Sequence, residues 1–337
     1  MRYAIVLALA ACLAAPLPAA AQGRKGAKGP KSVTPQLTVT KLKNGLTVVT
    51  VPTAAPGLAA YYTLMRVGSR NEVEPGHSGF AHFFEHMMFF GTAKWPKDKR
   101  EATLKRLGVT TQGYTSSDMT VFPVVGPTKA LPTIIEIEAD RFQNLTYSEA
   151  GFQTEAKTIL GEYLKNNSSP FMRLYEVMSN TAFDRHTYKH TTIGFLADVK
   201  AMPTRYEYSK KFFQRFYRPD NAVIFVVGEF NQAEVLSLIK QHYGSWSGKA
   251  DDPKVPVEPV PTAERRAHVD FEMPTLPRMW TGYGSQNGPQ SRTRKTYSCF
   301  KRNRMRRSIY NTIPIHGLAR SIYSQPLRER GGNCLWN

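Results

Sequence analysis

His82, Glu85 and His86 stand in the order H-x-x-E-H inside the run HSGFAHFFEHMMFFGT, residues 77–92. On a helix, His82 and His86 lie one turn apart, about 40° round the axis and roughly 6 Å along it. Two imidazoles so placed can hold one metal ion from the same face. Glu85 leans over that face too. It is too close to His86 in sequence to be the natural third ligand, but it can reach a water that the ion activates. Zinc-assisted hydrolysis needs this combination of groups. Phe83, Phe84, Met87, Met88, Phe89 and Phe90 surround the polar trio, and a helix apolar on most sides is buried. Two imidazoles and a carboxylate buried without a partner are costly, and a bound cation removes that cost.

A tetrahedral catalytic zinc requires a third protein ligand and one open position. The acids on later helical stretches are the candidates: Glu136, Glu138, Asp140, Glu149, Glu155 and Glu162. Glu155 and Glu162 are two turns apart on one helical face, so one can bind the ion while the other orients a ligand. Spacing alone does not choose among the six.

These residues need a scaffold, and the pattern around them predicts an α+β domain. Strands are expected over 37–42 and 46–51 as a hairpin through Lys43-Asn44-Gly45, a strong turn signal. A third strand spans 59–67, and the metal-motif helix follows and ends near Gly91, suited to a C-cap. Residues 97–107 read as a short helix, and 110–115 with 119–125 as a second hairpin. Helices then cover 129–144, 148–165, 171–183 and 203–216, before a buried-type strand over 222–227 and a closing helix over 232–243. Hairpins mixed with helix runs argue for an antiparallel-rich mixed sheet packed by several helices, not a doubly wound parallel one.

The organisation expected around that domain is as follows. Residues 1–21 read as a secretory signal peptide: Arg2, an apolar run over 5–13, and Ala19-Ala20-Ala21 before Gln22. A lipoprotein signal at Cys12 ranks second. Residues 22–36 form a flexible basic arm, 37–248 the catalytic domain, 249–266 a proline-rich linker, and 267–337 an incomplete second domain. Within the last, 284–337 is an aberrant basic tail without helix or strand period, read as the product of a shifted frame in preference to an anionic-surface anchor. The protein is thus expected to be exported, periplasmic or extracellular, with no transmembrane segment. The formal charge of +19 would suit nucleic acid, but residues 284–337 alone carry eleven bases against one acid. What remains is a mildly basic body, and nucleic acid is not an expected partner. Between Gln22 and Tyr283 there is no cysteine, which excludes a disulfide framework there.

The runs Val67-Gly68-Ser69-Arg70-Asn71-Glu72 and Gly79 to Thr92 closely resemble the M16 zinc peptidases (pitrilysin, insulinase, mitochondrial processing peptidase), the inverzincins. Tyr114-Thr115-Ser116 with Thr120, the segment EAKTILGE from Glu155 to Glu162, His186-Thr187-Tyr188 and Tyr217 to Ala222 resemble further family segments in the right order. The resemblance implies one Zn2+ per chain on His82, His86 and Glu162, with Glu85 as general base and Glu155 as an acid beside the site. It implies that Gln112, Gly113, Tyr114 and Thr115 pair with the backbone of a peptide or unfolded-protein substrate. Where the family usually has Asn-Ala, this chain has Gln112-Gly113. Family members also close the catalytic half against a second homologous half, so a partner subunit is implied for the rest of the chamber. The alternatives are a non-catalytic M16-like binding or partner subunit, an inactive truncated product and, more weakly, a cation-dependent surface adhesin using the basic tail.

Overall fold

The computed structural model describes residues 36–282 and the two-residue strand Thr312–Ile313. Residues 1–21, read as a signal peptide, lie outside the described residues, with nearly all of the expected arm and tail. Asn-Gly does turn the first hairpin. β1 (Thr38–Lys41) and β2 (Thr47–Pro52) pair antiparallel, with Gly45 in the left-handed region at φ +93°. The Asn44 carboxamide donates to the carbonyls of Tyr243 and Trp246, tying the turn to the far end of the domain.

The sheet is completed by β3 (Leu58–Met65), β4 (Thr110–Thr111), β5 (Tyr114–Thr115), β6 (Thr120–Pro127) and β7 (Ala222–Gly228). Its order is β1-β2-β7-β3-β6, and both β4 and β5 pair with the outer side of β6. Only β2–β7 is parallel. The expected antiparallel-rich mixed sheet is therefore present. Burial alternates along β3, as a strand with one face in the core requires. The arm expected as one strand over 110–115 is broken at Gln112-Gly113 into β4 and β5.

Eight helices pack around the sheet among the described residues: α1 (Phe80–Met87), α2 (Lys97–Arg106), α3 (Leu131–Asn144), α4 (Glu149–Asn167), α5 (Pro170–Ala182), α6 (Leu196–Ala201), α7 (Tyr206–Phe216) and α8 (Gln232–Tyr243). The helix expected over 203–216 begins later, because Pro203 lies in a tight 3-10 turn between α6 and α7. Phe80, Phe83, Phe84, Phe142, Phe152, Phe212 and Tyr217 are fully buried. Each such side chain contributes about 1.5–3 kcal/mol. Phe84 stacks on Phe212 at 5.3 Å, so α1 is held from behind by α7.

Residues 249–264 form no helix or strand, and they are anchored. Glu258 is buried and accepts the amides of Asp184, Arg185 and His186 at 2.7, 2.9 and 2.9 Å. Burial opposes its charge, but the three amides and nearby Arg265 outweigh it and hold the carboxyl below its ordinary range. A depressed folded value means that this docking is fully present above the ordinary carboxylate range and is lost as pH falls through the folded value. The protection of the Asp184–His186 amides, taken relative to their intrinsic exchange rates, should therefore fall on acidification, and Glu258→Gln should remove that pH dependence. Equal acid sensitivity in both proteins would count against the anchor. Beyond β8 (Arg265–Arg266), which pairs with β9 (Thr312–Ile313), residues 267–282 form no strand. Residues 267–282 thus add no strand to the second domain expected from 267 onward. Instead Trp280 packs on Leu174 and Met178 of α5.

Candidate metal centre

The helix that carries H-x-x-E-H is fixed at both ends. At its start Gly79 has φ +96°, and a Cβ there would lie 2.5 Å from the carbonyl oxygen of Ile193, so glycine is required. No side chain at the cap position can serve the first amides. Buried Glu72 does so from outside, accepting from Gly79 and Ala81 at 2.7 Å each. Leaving such buried amides unpaired costs about 1–3 kcal/mol each. Past the C-terminal end, Arg141 donates to the Met88 carbonyl at 3.3 Å, and Arg100 lies 3.5 Å from that of Phe89. Both arginines are almost wholly buried, and Arg141 is paired with Glu138 at 2.8 Å. Cations here suit the negative end of a helix. Sequence reasoning quoted Glu72 only as part of a run and did not mark either arginine.

His82, His86 and Glu162 converge. One ligand-type atom from each lies within 4.8 Å of the others. Glu162 Oε2 is 3.7 Å from His82 Nε2 and 3.5 Å from His86 Nε2. Donors about 2.0–2.1 Å from a tetrahedral ion are separated by roughly 3.3–3.4 Å, so the two carboxylate–imidazole separations are close to what one zinc would require. α4 delivers the carboxylate, starting from Ser148, whose hydroxyl accepts the amide of Gly151 at 3.1 Å. One face of α4 presents Glu155 as well as Glu162. His86 Nδ1 donates to Glu155 Oε1 at 2.8 Å, which leaves the Nε2 lone pair facing Glu162.

The electrostatics favour a cation. Burial, with a smaller contribution from His86, lowers His82 to about 3, so its imidazole is neutral and has a free lone pair. For His86 burial acts downward, but the Glu155 bond and the charges of Glu155, Glu162 and Glu85 outweigh it and raise the value. Burial also raises Glu85, against the Thr115 bond. Three carboxylates around two imidazoles make a site that attracts positive charge. Among the open candidates, Glu136 pairs with Lys94, Glu138 with Arg141, Asp140 with Thr92, and Glu149 with Gln153. None of the four joins the cluster.

The strand proposed for substrate divides in two. Gln112 and Tyr114 are exposed, whereas Gly113 and Thr115 turn inward towards α1. Thr115 Oγ1 donates to Glu85 Oε2 at 2.6 Å, a contact that sequence reasoning did not foresee. The hairpin tip is pinned as well. Arg70 Nε meets Asp118 at 2.8 Å, the Tyr188 hydroxyl donates to the same carboxylate at 2.9 Å, and Thr187 donates to the Arg70 carbonyl at 2.6 Å. The family-like segments around residues 70, 118 and 187 therefore brace one edge strand.

Residues 54–194 match the family model for Insulinase (Peptidase family M16), and residues 205–333 match that for the Peptidase M16 inactive domain. The chain is 33% identical over 248 residues to the zinc protease PqqE of Helicobacter pylori, covering 72% of this chain and 55% of that protein. It is 30% identical to the β subunit of the mitochondrial-processing peptidase of Rattus norvegicus, covering 66% and 45%. The crystal structure of the first half of the periplasmic protease PqqL from Escherichia coli superposes with a TM-score of 0.58 at 28% identity, covering 65% and 48%. The chain thus spans about half the length of these relatives.

Proposed function

Since this chain belongs to the M16, or insulinase, family of peptidases, we propose that it is an exported zinc-dependent endopeptidase acting on peptides or unfolded polypeptides. The observation that carries the reading is the convergence of His82, His86 and Glu162, with Glu85 beside them. Zinc held by those three side chains would supply a Lewis acid that acidifies water and polarises the scissile carbonyl. Glu85 takes the proton of the attacking water and returns it to the leaving amine. Thr115 holds one of its oxygens, so the carboxyl meets the water in one orientation. Glu155 fixes the tautomer of His86 and keeps the imidazole from turning away. β5 has β6 on one side only among the described residues, which leaves an edge for an extended peptide. Such pairing takes an extended backbone, which supports the unfolded substrate class.

Export is supported by the signal-like residues 1–21 and by the periplasmic relative. No helix of the described residues is long and apolar enough to cross a membrane. A homologous partner completing the chamber is supported by the likeness to a named subunit of a processing peptidase. The test is cleavage of an unstructured peptide by the purified chain. We expect it to stop with a chelator and return with one equivalent of zinc. A chain that takes up no zinc, or that cleaves equally well without it, ends the proposal.

A further inference from the structure

β5 is two residues long. Its ladder to β6 consists of Tyr114 opposite Val121 and Thr115 opposite Thr120, and Gln112-Gly113 separates it from β4. So short a strand is held weakly by its own pairing. The turn that follows it is gripped from outside. The Ser69 and Arg70 amides donate to the carbonyls of Ser116 and Ser117 at 3.3 and 2.8 Å. A Cβ at Gly68 would lie 2.4 Å from the Ser116 carbonyl oxygen, so the two backbones are in contact. On the other side the Tyr188 hydroxyl reaches both Asp118 oxygens, at 2.9 and 3.0 Å, and Thr187 holds the Arg70 carbonyl at 2.6 Å. Thr187 and Tyr188 follow directly on Asp184–His186, whose three amides all end on the carboxyl of Glu258. The Tyr188 amide in turn donates to His186 Nδ1 at 3.0 Å. Arg265 braces the same carboxyl from 3.7 Å and donates to the Thr181 and Ala182 carbonyls at 3.3 and 3.0 Å. From residue 258 to residue 115 every step is a hydrogen bond, an ion pair or a peptide bond.

We infer that Glu258 is a positioning residue for the substrate strand β5. Its carboxyl fixes the 184–186 backbone, and with it the two side chains that clamp the β5–β6 turn. The segment between the two expected domains and the edge on which a peptide would lie are therefore one mechanical unit. A displacement of residues 249–266 is felt at β5, although the two are far apart in sequence. The inference rests on the peptidase reading for its kinetic consequence, but not for its structural one.

The test is amide hydrogen exchange on the full chain at neutral pH, read as protection relative to intrinsic rates. Glu258→Gln keeps the shape of the side chain but sets an NH2 group against amides that need an acceptor. Protection should fall at Asp184–His186 and, with it, at Arg70 and Ser116, by about tenfold, the worth of one bond to a charged group. Trp280→Ala frees the same segment from Leu174 and Met178 instead. It should leave Arg70 and Ser116 as protected as in the wild type. Loss at 184–186 without loss at 70 and 116 overturns the inference, and so does equal loss at 70 and 116 from Trp280→Ala. In a wild type that cleaves, Glu258→Gln should raise KM about three- to tenfold with kcat nearly unchanged, as when one backbone bond to the peptide is lost. An unchanged KM also overturns it. Failure of the wild type to cleave bears on the peptidase reading alone, and the exchange arm still decides. Should Glu258→Gln not fold, Tyr188→Phe takes its place. That variant should lower protection at Arg70 and Ser116 while sparing 184–186, and unchanged protection at 70 and 116 overturns the inference.

Discussion

Glu85→Gln should bind zinc as the wild type does while its kcat falls by about 10³-fold or more. The amide keeps the shape and the Thr115 contact, since its oxygen can still accept the bond seen at 2.6 Å. What it loses is the ability to take a proton. The proposed ligands are untouched, because His82, His86 and Glu162 come together without Glu85. Zinc stoichiometry by elemental analysis and kcat on an unstructured peptide therefore separate the two roles. Parallel loss of metal and activity would mean that Glu85 is a ligand, and the proton-transfer role would fail. Unchanged kcat would remove it from the chemistry altogether.

Glu162→Ala should abolish stoichiometric zinc, whereas Glu155→Gln should weaken binding only about 10–100-fold, the usual cost of losing an outer partner. The two carboxylates share one face of α4, yet their contacts differ. Glu162 Oε2 faces both Nε2 atoms, while Glu155 bonds the far side of the His86 ring. The ion would join α1 to α4, so its loss should also appear in unfolding. At a thousand times the dissociation constant, a ligand bound only by the native state adds about 4 kcal/mol. For a chain of this size that is about 10 °C. Wild type should show such a zinc-dependent rise and Glu162→Ala none. If the two variants lose zinc equally, the assignment of inner and outer carboxylates is wrong.

Local chemistry was the legible part. His82 and His86 could be placed on one face because helix geometry fixes neighbours four residues apart, and Asn44-Gly45 announced its turn because few residues adopt positive φ. Choosing Glu162 was different. It lies on another helix, and only the family resemblance separated it from five other acids. Glu72 was not marked as a cap because it stands seven residues before the amide it serves and outside any capping pattern. The division of 110–115 was missed for a related reason. Gly113 was placed inside one continuous strand, and what it lies against is a side chain on α1, remote in sequence. The arginines Arg100 and Arg141 went unmarked, since nothing near them in sequence shows that α1 ends beside them. Tertiary contact decided each of these cases.

The place of β7 has a consequence for how the protein is made. It lies between β2 and β3, pairing with the first in parallel and the second in antiparallel fashion. Both neighbours leave the ribosome long before it does. Until residues 222–228 arrive there are two half-sheets, each with a bare inner edge, and no continuous platform beneath the imidazoles. Such late, non-local closure is slow and leaves strand edges open to the wrong neighbours. Biosynthesis must therefore shield nearly the whole domain before its sheet can close.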